Sequence, residues 1–503
     1  MDDPGTSVRF AGGRTIGFGL LLWITYAYFV PSPSWNPNSR FNLTLALVEH
    51  HKFDIDDYHN NTGDKAQSHG HYYCDKAPGV SFLAVPAYAA FRSIWRFLLK
   101  DLPATIVIGR DGAADASLAK GDGNDDVLLN AGYRWGQYVS SVFTNGLAGA
   151  CLGALFLWTA TKRGRSVQDA TGIAMSLSLG TLVFPYSTSL YGHVPSAAFA
   201  FAAFSLLWIH ERQENGVFFL SGLLCSMATV CEWPSALISA FIGGSVLFRT
   251  RNLKFISLWA LGAALPAALA FVYNQAIFGS PFAVGYANLA RSDFAIGMST
   301  GVMGFSWPSP RTLLLMIFGR ARGLCYTGPI LVLAAWGFSK SGRDSKSFRV
   351  LAALISCTFV LMSSGYFMWW GGAAYGPRHV IPCLPFWCLG LVLAWPRSQN
   401  ASQGWLGHVF FACLALSMVN MFLGTAVGLE APLTTDILFR YAYPLTAHGQ
   451  IPAAPGASNL GRLLGLPGLL SLTPLALIWS IYIVWVWRLF PGYKSSIKAR
   501  TNE

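Results

Sequence analysis

The stretch "PGVSFLAVPAYAAFRSIWRF", residues 78–97, is apolar enough to enter a membrane, and its reading decides the topology of everything after it. The loops that follow carry short basic runs: "TKRGR" at 161–165, "HERQ" at 210–213, "RTRNLK" at 249–254, "KSGRDSK" at 340–346, "PRSQ" at 396–399 and "KSSIKAR" at 494–500. Cationic loops stay on the cytoplasmic side. If 78–98 crossed, "TKRGR" would land outside. If it lies in the outer leaflet, every later run falls inside. Pro78 suits a helix start and Pro86 disfavours a straight span, whereas the basic tail of Arg92, Arg96 and Lys100 argues for a crossing. The loop count prevails, and the segment reads as a helix dipping into the outer leaflet.

Working outward, apolar runs of near-span length recur near 15–33, 137–160, 166–189, 191–209, 216–231, 233–249, 253–275, 324–339, 349–368, 378–396, 405–428 and 466–490. The chain is 53% hydrophobic and only 12% charged. That composition describes an all-α polytopic membrane protein, because lipid offers no partner for an open backbone. The segments do not alternate apolar and polar residues, which argues against a β-barrel. No small-residue cleavage site follows the first span, so it reads as a retained helix. The reading is one transmembrane domain over 1–503 with about twelve spans and both termini inside. The first outer loop is long, 34–136, with a later one at 429–465. Within the first, the Gly- and Asp-rich piece 109–126 reads as an excursion. The net charge of +12 sits in topology-setting loops, so nucleic acid is not an expected partner. Eight of the nine cysteines fall in apolar runs, where they act as small hydrophobes. No disulfide framework is implied.

The ionisable residues crowd into the first outer loop. "FDIDDYHNNTGDKAQSHGHYYCDKAPG", 53–79, holds Asp54, Asp56, Asp57, Asp64 and Asp75 together with His71, Lys65 and Lys76. It follows "RFNLTLALVEHHKF", whose Leu43, Leu47 and Val48 predict an amphipathic helix along the membrane. Carboxylates suit a general base or a divalent cation, and lysine suits a phosphate. The cluster fits an anionic lipid-phosphate ligand, although charged groups in a water-facing loop need no function at all.

"GHYYCDKAPGVSFLAVPAYAAF" resembles a segment of the GT-C superfamily of integral-membrane glycosyltransferases. Lipid A aminoarabinose transferases and relatives of protein O-mannosyltransferases read acid-Lys-Pro-Pro-Leu there. The resemblance is firm over roughly 15–210 and loose beyond. It implies a GT-C fold with juxtamembrane helices in the first outer loop, and an inverting transfer from a polyprenyl-phosphate sugar to a glycan, lipid or protein hydroxyl. The active site would face the extracytoplasmic side of a bacterial inner or plasma membrane, in the service of cell-envelope glycans. It also implies that Lys76 contacts the donor phosphate and that Asp75 is a metal or polar partner, with a divalent metal as candidate cofactor. Ala77-Pro78-Gly79 departs from Pro-Pro-Leu. The family's acidic pair before Arg-Tyr is absent: "NPNSRF" keeps Arg40-Phe41 but has Pro37 and Asn38 where the acids belong. The base is therefore assigned to Asp56 first, then Asp57 and Asp54.

Further candidates lie at other predicted outer ends. His193 joins His71 as a possible metal or polar partner. Glu232 in "TVCEWPSA" is either embedded or at a hairpin turn. Arg378 and His379 in "YGPRHVIP" run against the inside bias of positive charge and so point to a phosphate. Arg320 and Arg322 in "FGRARG" could reach lipid phosphates. No phosphate-binding Gly loop, dinucleotide fingerprint or nucleophile elbow occurs, so no nucleotide cofactor is expected and a lipid-linked donor is favoured. The rival readings are a lipid or polyprenyl-phosphate transporter and a non-catalytic membrane subunit. A transporter should show related halves and mid-membrane polar groups, and no such halves are visible.

Overall fold

The computed structural model describes residues 4–99, 131–209, 214–340, 346–395, 404–433, 435–454 and 456–488. The 109–126 piece, the loops 210–213 and 396–399, and the basic run 494–500 lie outside them, as does most of 340–346.

The protein is mostly helical, 71% helix and 4% strand. α1 (Pro4–Ala27) leads through β1 (Phe29–Val30) to α2 (Trp35–Leu45), β2 (Lys65–Ser68), β3 (His71–Cys74) and α3 (Gly79–Leu99). Next come α4 (Ala131–Ser141) and α5 (Leu147–Lys162), which join through a π turn into one rod, Gly132–Lys162. α6 (Val167–Ser178), α7 (Val183–Ser187), α8 (His193–Trp208), α9 (Asn215–Cys231), α10 (Ala236–Thr250) and α11 (Leu253–Phe278) follow. The remainder comprises α12 (Ser292–Met298), α13 (Pro310–Phe318), α14 (Leu324–Thr327), α15 (Ile330–Gly337), α16 (Lys346–Ser364), α17 (Leu384–Ala394), α18 (Trp405–Val427), α19 (Tyr443–Ala447), β4 (Ser458–Asn459), α20 (Leu460–Leu463) and α21 (Thr473–Arg488).

Every predicted apolar run carries helix. Among the described residues, four helices are long and apolar enough to cross a membrane: Gly132–Lys162, Leu253–Phe278, Lys346–Ser364 and Trp405–Val427. Shorter apolar helices lie at His193–Trp208, Asn215–Cys231, Arg378–Ala394 and Gly468–Val484. Two predicted spans are broken. The 166–189 run splits around Gly180 between α6 and α7, and 324–339 divides at Pro329 into α14 and α15; at Pro329 proline cannot donate to the preceding turn.

Helices approach closely where glycine permits it. A Cβ on Gly222 of α9 would collide with the Trp259 carbonyl, and one on Gly262 of α11 with the Phe219 carbonyl. Gly337 of α15 and Gly390 of α17 face each other in the same way. Small residues at a crossing let backbones come into van der Waals range, the main source of helix association in lipid.

Three features place the site. β1 pairs antiparallel with β4, Phe29 opposite Asn459, and Trp479 donates to Thr25 Oγ1 at 3.0 Å, so α21 lies against α1. The β2–β3 hairpin pairs Lys65 with Cys74 and Ser68 with His71. Its turn places His69 (φ 48°) and Gly70 (φ 85°) in the left-handed region. Finally α2, expected to lie on a membrane surface, is buried from Asn36 to Leu45. Its polar residues find protein partners instead of water: Asn42 donates to Asn61 Oδ1 at 2.6 Å and Asn38 to the Asn61 carbonyl at 2.9 Å.

The segment 78–98 forms α3, a single helix with Pro86 inside it. Arg92, part of the basic tail that argued for a crossing, forms an ion pair with Glu49. Arg96 lies 3.7 Å from the same carboxylate. Arg92 and Arg96 are therefore engaged with Glu49, and Lys100 lies outside the described residues.

Candidate active site

The hairpin brings together two acids that are eleven residues apart. Asp64 precedes β2 and Asp75 follows β3, so closing the β2–β3 register sets them side by side. Lys76 Nζ lies between them, 2.8 Å from Asp75 Oδ2 and 3.1 Å from Asp64 Oδ2. The segment 285–290 covers the group from the other side. Gln67 N donates to Asn288 O at 2.8 Å, Ala290 N to Lys65 O at 3.0 Å, and the Tyr286 ring sits 5.4 Å from Lys76 Nζ. Gly285 is required there, since a Cβ would run into the Asp75 backbone.

Burial pushes the Asp75 carboxyl up, to about 6, against the opposing pull of the Lys76 ammonium. Burial also acts to lower Lys76, but the Asp64 and Asp75 carboxylates outweigh it and hold the ammonium well above its ordinary range. Lys76 therefore stays charged and is neutralised twice over. Asp75 uses both oxygens, accepting from Ser39 at 3.4 Å and from Lys76. Asp64 engages Lys76 through Oδ2.

These side chains line a cavity of about 330 Å³. Its polar wall also holds Asn36, His193, Glu232, Arg378 and His379. The opposite wall is apolar and soft, built from Phe294, Met298, Met303, Phe305, Met362 and Phe367 among others. Methionine adapts its shape readily and suits ligands with flexible chains.

Glu232 caps α9 in an extended conformation (φ −149°, ψ 110°) before the turn into α10. It is thus a junction residue, and it is buried. Arg40, 1% exposed, donates Nη2 to Glu232 Oε1 at 2.6 Å, Nη1 to the Ala77 carbonyl at 2.9 Å and Nε to Asn36 Oδ1 at 3.1 Å. All three nitrogens of its guanidinium are engaged, tying α2 to the Lys76 loop and the α9 end. His193, the first residue of α8, has Nδ1 3.4 Å from Glu232 Oε1 and its ring centroid 5.5 Å from that of His379. The buried Nε2 atoms of His193 and His379 have no hydrogen-bond partner among the described residues.

Arg378 differs from the other cations. It opens the short helical turn Arg378–Cys383, its guanidinium rests 4.8 Å above the Tyr191 ring, and its buried Nε has no hydrogen-bond partner among the described residues. Among the described residues it forms no ion pair. A half-buried guanidinium with no direct ion pair on a cavity wall suits an anionic group.

The structure does not bring Asp54, Asp56 or Asp57 into this cavity. Lys52 bridges Asp54 (2.8 Å) and Asp57 (3.1 Å), and Asp56 pairs with His71 Nδ1 at 2.6 Å while accepting from Tyr72 N at 2.7 Å. Burial acts to raise Asp56, but the Tyr72 amide and His71 outweigh it and draw it below the usual carboxylate range. The Asp56 hydrogen bond correspondingly raises His71. Donor atoms of Asp54, Asp56 and His71 fall within 4.8 Å of one another. Two carboxylates and an imidazole are a chemically suitable donor set for a divalent ion, though the Lys52 ammonium already compensates Asp54. Arg320 is also elsewhere, in a second pocket with Tyr326, Asp436, Phe439 and Arg440.

Sequence reasoning missed Asn36, Tyr286 and the Met–Phe wall. No local pattern marks them, and they reach the cavity only through long-range packing. It also took Asn38 for a vacated acid position. Asn38 instead accepts from Gln137 Nε2 at 3.0 Å and donates to Asn61 O, a structural role. No protein-family model matches the chain, and no curated protein matches it.

Proposed function

We propose that the cavity is the reaction chamber of a membrane-embedded, inverting glycosyltransferase that takes its sugar from a polyprenyl-phosphate donor at the outer face. Support comes from the resemblance in "CDKAPG" and from one juxtaposition above all: Arg378, without a direct ion pair among the described residues, and a buried Lys76–Asp64–Asp75 triad open onto the same apolar-walled hollow. Arg378 has no direct counter-ion among the described residues, whereas Lys76 has two, so Arg378 is the primary phosphate ligand. Lys76, shared by two carboxylates, contributes a directed N–H donor more than a free charge. The Met–Phe wall suits the first isoprene units.

The base is reassigned on the same grounds. Asp56, Asp57 and Asp54 are engaged with His71 and Lys52 away from the hollow, whereas Asp64 lines it and keeps one oxygen free of Lys76. Asp64 accepts the acceptor-hydroxyl proton as that oxygen attacks the anomeric carbon. The C–O bond to phosphate breaks with its electron pair leaving on the phosphate, and Arg378 stabilises that charge. One displacement inverts the centre. Phosphate is already a fair leaving group, so alignment and charge stabilisation supply most of the acceleration.

The test is release of polyprenyl phosphate when purified protein is incubated with a polyprenyl-phosphate sugar and candidate acceptors. Bond cleavage that is lost in Arg378→Gln supports the proposal. Movement of intact donor across a vesicle membrane without cleavage would instead establish the transporter reading.

A further inference from the structure

A second pocket, of about 430 Å³, lies between the end of α13 and the start of the π turn Leu438–Ala442. Its lining is Arg320, Tyr326, Asp436, Phe439 and Arg440. The two segments are stitched together by Ile437 N donating to Arg320 O at 3.1 Å. Asp436 is the single acid in the lining, and its carboxylate is already committed. It accepts from Tyr326 OH at 2.9 Å and from the amides of Leu438 (3.1 Å) and Phe439 (3.0 Å). Among the described residues neither Arg320 nor Arg440 forms an ion pair. The neighbouring Arg322, which the sequence pairs with Arg320, is buried and donates to the carbonyls of Ala431 and Pro432, both at 3.1 Å. It braces the 431–432 segment and takes no part in the pocket.

The surroundings define what the two guanidiniums meet. Leu314 and Phe318 on α13 are exposed, as are Leu433 and Phe439 on the other segment. A cationic hollow flanked by exposed aliphatic and aromatic side chains complements a molecule with an anionic head and apolar tails. An arginine fork matches phosphate oxygens in two directions, and basic groups beside a bilayer attract anionic headgroups.

We propose that this pocket holds the phosphate of an anionic phospholipid, with the acyl chains lying on the Leu314–Phe318 and Leu433–Phe439 flanks. The occupant is a resident bilayer lipid, distinct from any substrate of the central cavity, and the inference stands whether or not the chain is a transferase.

Native mass spectrometry of the full chain in detergent tests it, using phosphatidylglycerol and phosphatidylcholine of identical acyl composition, with glycerol phosphate as the headgroup alone. Phosphatidylglycerol should be retained in preference. Arg320→Gln and Arg440→Gln should each weaken retention about fivefold, the double variant more, and Arg251→Gln not at all. Should the double variant misfold, raised salt applied to the wild type provides the second readout, and selective loss of phosphatidylglycerol is expected. Equal retention of both lipids, retention unaffected by the double variant and by salt, or displacement by glycerol phosphate at lipid concentration would overturn the proposal.

Discussion

Among individual residues the decisive difference lies between carboxylates that share a loop. Asp64→Asn should lower turnover by roughly 10²- to 10⁴-fold, the span expected for a lost general base, whereas Asp56→Asn should change it by less than about threefold. Steady-state release of polyprenyl phosphate measures both, and the reverse ranking would return the role of base to Asp56. Asp75 provides a pH signature. Its folded pKa of about 6 lies above its ordinary value of 3.8, so the folded state binds the extra proton between those limits. Its contribution therefore favours folding on the acid side and is lost as pH rises through 6. A thermal-unfolding series from pH 4 to 7 should show that decline in the wild type and a flatter profile in Asp75→Asn. Of this chemistry, Lys76, Asp64, Asp75, Glu232 and Arg378 were legible in the sequence, because ionisable groups are conspicuous in an apolar chain. Their sorting was not. Which acid faces the hollow depends on hairpin register and on Lys52, neither of which announces itself in a single sequence.

Elements act through their junctions. Arg40 joins α2, the Lys76 loop and the end of α9 through three separate acceptors. Arg40→Met would leave Glu232 buried without its cation, a loss of about 3–5 kcal/mol. Glu232→Gln keeps a hydrogen-bond acceptor and should cost less. Chemical denaturation of the purified protein, followed by tryptophan fluorescence, distinguishes them, and equal losses would show that Arg40 stabilises by packing alone. Helix positions were readable from apolar runs, since burial in lipid or protein demands them. The breaks at Gly180 and Pro329 are equally visible in hindsight as breaker residues. The burial of α2 was not readable: the Leu43, Leu47, Val48 spacing across it and the turn that follows fits a membrane surface as well as a protein interior, and only its asparagine partners decide between them.

The whole molecule sets a hairpin-borne charge cluster against a helical body whose longest helices suit a bilayer. The topology proposed from loop charge has the hairpin outside and the α10–α11 turn inside. A membrane-impermeant maleimide should therefore label His69→Cys, at the exposed hairpin tip, on intact cells. Arg251→Cys should react only after permeabilisation. The opposite pattern would place the cavity on the cytosolic face and remove the outer-leaflet donor from consideration.

The central claim is that Arg378 and Lys76 together receive a lipid-borne phosphate ester. A cryo-EM map of the full chain with added polyprenyl phosphate tests this most directly. Phosphate density within hydrogen-bonding distance of the Arg378 guanidinium and Lys76 Nζ, with the chain running along Met298, Met362 and Phe367, is the predicted result. Phosphate density elsewhere, with the hollow between Arg378 and Asp64 left to water, would contradict it.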